Sequence, residues 1–184
     1  MASWAEDARW LVVAVDQATI VDLGGKVKFP RGEVVACGSR FDATTYLAEH
    51  GGFGRAIIGV SLTGGDYSTL TGGGRSTLTG GDESKLTGGH SSRLTGGDWS
   101  TLTGGHSSTL TGGYESKLIG GYGSKLTGGD ESTLTGGNGS KLIFRWRDQH
   151  GAQQVLVGVV GRNQLIPGTA YRVSDKGEIV PVAD

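Results

Sequence analysis

Residues 79–94 read TGGDESKLTGGHSSRL, two eight-residue units in succession, and this pattern runs without a slip from about Val60 to Ile143. Leucine recurs every eighth residue from Leu62 to Leu142, and serine two places earlier from Ser68 to Ser140. An unbroken short period is the signature of a stacked repeat rather than of a conventional core. The composition agrees, since 36 of the 184 residues are glycine and ordinary globular chains carry far fewer. Each glycine pair separates runs too short for a helix, so the pairs read as corners between short strands.

Side chains alternate along a strand, which places Ser and Leu of each unit on one face and the residues flanking Leu on the other. Leu belongs inside, where each buried side chain contributes on the order of 2 kcal/mol. The small Ser beside it can turn its hydroxyl to a neighbouring Ser or a backbone carbonyl. A single unit cannot bury its own apolar face, so stability must come from stacking.

Eight residues with one double-glycine corner close poorly, whereas two units make a flat coil with two strands and two corners. The variable residues favour two. Alternate units carry Asp66-Tyr67, Asp82-Glu83, Asp98-Trp99, Tyr114-Glu115 and Asp130-Glu131 after the glycines. The units between them carry Gly74-Arg75, His90-Ser91, His106-Ser107, Tyr122-Gly123 and Asn138-Gly139. One edge is acidic and the other is not, a contrast that exists only at a period of sixteen. The expected fold is all-β: a β-solenoid of about five sixteen-residue coils, rising about 4.8 Å each.

Exposed solenoid ends need caps, and both flanks read as such, giving residues 1–59 as a β-rich N-terminal cap, 60–143 as the solenoid and 144–184 as a C-terminal β cap. In the first, strands are expected over Arg9–Asp16, Thr19–Leu23, Val27–Phe29 and Glu33–Cys37, with turns at Gly24-Gly25 and Pro30–Gly32. Asp42 reads as the N-cap of one short helix through Leu47 that stops at Gly51-Gly52. In the last, strands are expected over Ile143–Asp148, Gln154–Val160, Tyr171–Val173 and Glu178–Val182, with Phe144 and Trp146 as cap core.

Several classes of function are disfavoured. A net charge of -1 gives no bulk attraction to nucleic acid or to an anionic membrane. The single cysteine, Cys37, excludes an intramolecular disulfide framework and reads as a small buried residue. The start, MASWAED, and the short apolar run Trp10–Val15 match neither a signal peptide nor a membrane span, so a cytoplasmic or particle-associated protein is expected. Ser, His and Asp are abundant, but a thin rod offers no concave pocket for a catalytic set. No phosphate loop of the GxxxxGK[ST] type occurs. Neither catalysis nor a cofactor is expected.

Units such as TGGDWSTL and IGGYGSKL, running directly into LIFRWRDQHG and later LIPGTAYRV, resemble the C-terminal portion of bacterial ice nucleation proteins over roughly residues 60–182. The resemblance implies a solenoid of that family's terminal type. There, Thr-x-Thr rows order water, and Lys- and Arg-rich last coils with the C-terminal cap support assembly. Residues 1–59 fall outside the likeness.

The candidate water-ordering residues are the Thr-Leu-Thr pairs Thr69/Thr71, Thr77/Thr79, Thr101/Thr103, Thr109/Thr111 and Thr133/Thr135. A period of sixteen divides them between two faces, one interrupted by Lys85 and Lys117, the other by Arg93, Lys125 and Lys141. Threonine also suits any exposed strand. These cations, together with Asp66, Asp82, Asp98 and Asp130, are candidates for assembly, acidic edge against basic face. The Asp column stacks like charges and is unfavourable unless water, lysine or a cation intervenes, yet calcium-binding β-rolls use a nine-residue repeat, and no metal site is expected. Tyr114 and Tyr122 fall on opposite edges and cannot form one ladder. The expectation is a non-enzymatic scaffold that self-associates or binds an extended surface such as ice, or a structural part of a larger particle such as a virion or cell-surface fibre.

Overall fold

A computed structural model describes residues 8–24, 26–52, 55–162 and 164–182. The start Met1–Asp7 and Gly25, half of an expected turn, lie outside them. The chain forms two compact units, Met1–Phe53 and Gly54–Asp184.

In the first unit β1 (Trp10–Ala14) pairs antiparallel with β4 (Glu33–Gly38), while β2 (Val21–Asp22) and β3 (Val27–Lys28) form a separate short hairpin. Thr19 belongs to a 3-10 turn, Gln17–Thr19, capped by the Asp16 carboxylate, so β2 starts later than its β-branched residues suggest. Helix α1 (Arg40–Leu47) packs on β1 and β4. Its N-cap is Ser39 rather than Asp42: the Ser39 hydroxyl accepts from Asp42 N–H, and the Asp42 carboxylate accepts from Ser39 N–H. Two candidates three residues apart form one capping box, in which the first is the cap. Cys37 is exposed, not buried.

The second unit is the solenoid. Its strands are β5 (Ser61–Thr63), β6 (Thr69–Thr71), β7 (Thr77–Thr79), β8 (Lys85–Gly88), β9 (Arg93–Thr95), β10 (Thr101–Gly104), β11 (Thr109–Thr111), β12 (Lys117–Gly120), β13 (Lys125–Gly128), β14 (Thr133–Gly136), β15 (Lys141–Arg147), β16 (Gln153–Val159), β17 (Ala170–Val173) and β18 (Ile179–Pro181). They make two seven-stranded sheets, in the orders β5-β7-β9-β11-β13-β15-β16 and β6-β8-β10-β12-β14-β17-β18. Repeat strands pair in parallel with every residue opposite its counterpart sixteen places on, as in Leu70↔Leu86 and Leu110↔Leu126. The coil therefore holds two octapeptides, in about five turns.

Leu78 through Leu142 are fully buried between the two sheets, with Leu62 only half-buried at the start. The serines lie inside with them, from Ser76 to Ser140, and most of their hydroxyls bond across coils, that of Ser84 being without a partner. Ser108 Oγ donates to the Gly89 carbonyl at 3.1 Å and accepts from Ser92 N–H at 3.3 Å. The same arrangement recurs at Ser92 and Ser124. A buried hydroxyl left alone would be unfavourable, and here it satisfies the glycine carbonyl that the tight packing buries.

The glycine pairs do a different job from the one their sequence suggests. Positive φ falls not on them but on the second residue after them, from Tyr67 (59°) through Trp99 (53°) to Glu131 (57°), with Gly123 and Gly139 in the same place. The pairs are required by closeness. A Cβ on Gly89 would stand 2.6 Å from the backbone nitrogen of Gly74 in the preceding coil.

At the C-terminal end β15 runs straight on where earlier coils turn, and β16 returns antiparallel beside it; β17 joins β14 antiparallel. Phe144, Val160, Leu165 and Tyr171 complete the core there. The indole nitrogen of half-buried Trp146 has no partner. At the other end Ile57 and Val60 pack onto the leucine column, so residues just before 60 belong with the solenoid.

Candidate surface-binding faces and edges

The coil presents two flat faces and two edges, and the register decides what each displays. On the face of β6, β8, β10, β12 and β14 the residues before Leu are Thr69, Lys85, Thr101, Lys117 and Thr133, a strict alternation. Those after Leu are Thr71, Thr87, Thr103, Ile119 and Thr135, with no charge among them. On the opposite face the first column is Ser61, Thr77, Arg93, Thr109, Lys125 and Lys141, and the second is Thr63, Thr79, Thr95, Thr111, Thr127 and Ile143.

Each face thus carries one uncharged column and one column broken by cations. The pairs expected from Thr-Leu-Thr are brought together in these columns, but Thr63, Thr87, Thr95 and Thr127 belong there too. They were missed because only units with threonine on both sides of leucine were counted; the spacing of sixteen, applied to the position after leucine alone, finds them.

The acidic edge holds seven carboxylates, Asp66, Asp82, Glu83, Asp98, Glu115, Asp130 and Glu131. No cation is needed to stack the aspartates. Asp66 Oδ1 accepts from Asp82 N–H at 2.9 Å, Asp82 Oδ1 from Asp98 N–H at 2.9 Å, and Asp98 Oδ1 from Tyr114 N–H at 2.7 Å. Each carboxylate caps the coil above it, and a charged acceptor makes the stronger bond. Trp99 and Tyr114 meet edge to face, centroids 5.7 Å apart. The Glu83 carboxylate beside Tyr67 pushes the pKa of that phenol up, and Glu115, then desolvation and Glu131, push up that of Tyr114.

The other edge carries no carboxylate among residues 74–75, 90–91, 106–107, 122–123 and 138–139. His106 takes over the capping role there, its Nδ1 accepting from Tyr122 N–H at 3.1 Å. That bond requires the proton on Nε2. Arg93, Lys125 and Lys141 follow this edge along the chain, whereas Lys85 and Lys117 follow the acidic one, so the coil has an acidic side and a basic side. Tyr114 and Tyr122 lie on opposite edges.

A concavity of about 650 Å³ lies at the C-terminal end between Asp130, Glu131, Trp146, Arg147, Arg172 and Asp175. Among the described residues no three His, Cys, Asp or Glu side chains converge to hold a metal, and no helix is long and apolar enough to cross a membrane. Comparison with protein-family models, with curated proteins and with solved structures finds no match.

Proposed function

We propose that the chain is a non-enzymatic scaffold whose solenoid binds an extended, ordered surface, with ice as the surface its threonines fit best. The supporting observation is the pair of uncharged columns, Thr71–Thr87–Thr103 and Thr63–Thr79–Thr95–Thr111, each at the repeat of the backbone itself, about 4.8 Å. Hydroxyl and methyl groups held at a fixed spacing on a flat sheet can order water; scattered surface threonines cannot. The likeness to ice nucleation proteins in the octapeptide and LIFRWRD motifs points the same way. Partition of the protein into slowly growing ice tests the reading, with incorporation expected for the native chain and higher for Lys85→Thr/Lys117→Thr, which completes the broken column. Exclusion of both proteins from the ice would overturn it.

The segregation of charge favours a second reading, lateral self-association. Seven carboxylates on one edge and Arg93, Lys125 and Lys141 beside the other let one rod dock against the next, in register because both repeat every coil. Such exposed pairs weaken as salt rises, so assembly by this route should dissolve on adding sodium chloride. The same contact would serve a structural part of a virion or fibre.

A further inference from the structure

We infer that β16 is an assembly edge: it pairs antiparallel with the same strand of a second copy, so that two solenoids join end to end. β16 (Gln153–Val159) is the last strand of the sheet that starts at β5. Its pairing with β15 runs from Gln153 to Val159 without a register shift, so no bulge turns the edge away. Residues 151–161 hold neither a charged side chain nor a proline. Sheet edges are ordinarily kept short, or blocked by lysine, proline or a bulge. The other sheet ends follow that rule: β18 has three residues and finishes on Pro181, and β5 and β6 have three residues each.

Hydrogen bonds at both ends of the β15–β16 pair fix which groups face outward. Asp148 N–H donates to the Ala152 carbonyl at 3.0 Å, and Val160 N–H to the Ser140 carbonyl at 2.9 Å. Bonded and unbonded pairs alternate along an antiparallel ladder, so at this register Gln154, Leu156 and Gly158 direct their backbone to β15. Gln153, Val155 and Val157 direct theirs away, and among the described residues none bonds to them there. The same alternation puts the Val155 and Val157 side chains together on the outer face, 59% and 49% exposed. Leu156, between them, packs inward on the core.

A row of free N–H and C=O groups selects another strand as its occupant. A second β16 fits because antiparallel pairing about a two-fold axis normal to the sheet is self-complementary. Val155 then falls opposite Val157 of the partner subunit, and Val157 opposite Val155 of the partner subunit, which covers the exposed valines and opposes no charges. The nearest cations, Lys141 and Arg145 on β15, stand three strand spacings from their counterparts, about 14 Å. That exceeds the Debye length of about 8 Å at physiological ionic strength. The two-fold keeps the same face of both sheets on one side and so lengthens the threonine-bearing face, although the pairing does not depend on what that face binds.

Salt separates this contact from association through the charged edges: it weakens the latter, whereas strand pairing holds or tightens as residual repulsion is screened. Sedimentation velocity of the full chain across concentration, in low and in high sodium chloride, is the test, with Val157→Pro and Val157→Thr as variants. Proline removes an N–H that faces away from β15, which an edge strand tolerates; threonine keeps it. The expected result is a salt-resistant dimer that Val157→Thr retains and Val157→Pro weakens at least about tenfold, since each copy loses a donor. Circular dichroism checks that the variants fold. Amide hydrogen exchange of the native chain gives a reading that needs no variant, with the Val155 and Val157 amides expected to gain protection as concentration rises. A native chain that is monomeric in high salt at every concentration overturns the inference and leaves a strand of some other chain as the occupant. A salt-resistant dimer that Val157→Pro leaves unchanged also overturns it, as do Val155 and Val157 amides that exchange equally fast in dilute and concentrated samples.

Discussion

At the scale of the residue, the corner of each coil divides its demands between neighbours. The glycine pair gives closeness, and the second residue after it takes positive φ, a conformation that disfavours any side chain with a Cβ. Opposite substitutions follow. Gly89→Ala should destabilise the solenoid by about 1–3 kcal/mol, because a new methyl must push against the backbone of Gly74. Ser91→Gly, at φ 55°, should stabilise it by up to about 1 kcal/mol. Thermal denaturation followed by circular dichroism reads both, and a shift in the same direction for the two would contradict this division. On the acidic edge, Tyr67 and Tyr114 ionise above the usual phenol value because ionised glutamates face them. A folded-state value raised in this way gives the fold a stabilisation that is fully present below about pH 10, the unfolded value, and is lost as pH climbs from there through the raised folded value. Ultraviolet titration should find Tyr67 and Tyr114 ionising above the ordinary phenol value, and Glu83→Gln should bring Tyr67 back towards it.

At the scale of the element, the serine columns connect coils that leucine alone would leave free to slide. Ser108→Ala removes a bond to the Gly89 carbonyl and strands the Ser92 N–H, a loss of about 1–3 kcal/mol. Ser84 is equally buried, yet its hydroxyl has no partner, so Ser84→Ala should be close to neutral or stabilising. Equal losses at the two positions, measured by chemical denaturation, would remove the serine column from the account. The strands, their inward leucines and the sixteen-residue period were legible because each is written in the repeat itself: Leu fixes the face, and Asp against His fixes the coil. The role of glycine was less so, since a tight turn and a close approach leave the same letter. The Asp column read as repulsive because sequence displays side-chain charge but not the backbone N–H of the next coil. In the first unit, where nothing repeats, Ser39 and Asp42 both qualify as caps until the hydrogen bonds distinguish them.

At the scale of the whole molecule, surface character follows from the coil period. With sixteen residues per turn the carboxylates gather on one edge, the basic residues lie beside the other, and uncharged threonine columns run along both faces; with eight, every column would mix all three. The faces, the edges and their proposed partners therefore stand or fall with that number. Cysteine pairs in a Cys37→Ser background measure it directly. Thr101→Cys with Lys117→Cys places thiols on directly paired residues of β10 and β12, whereas Thr101→Cys with Thr109→Cys places them on different sheets. Under mild oxidation the first pair should form an intramolecular disulfide and the second should not; a disulfide in the second pair and none in the first would show a coil of eight residues and contradict the account.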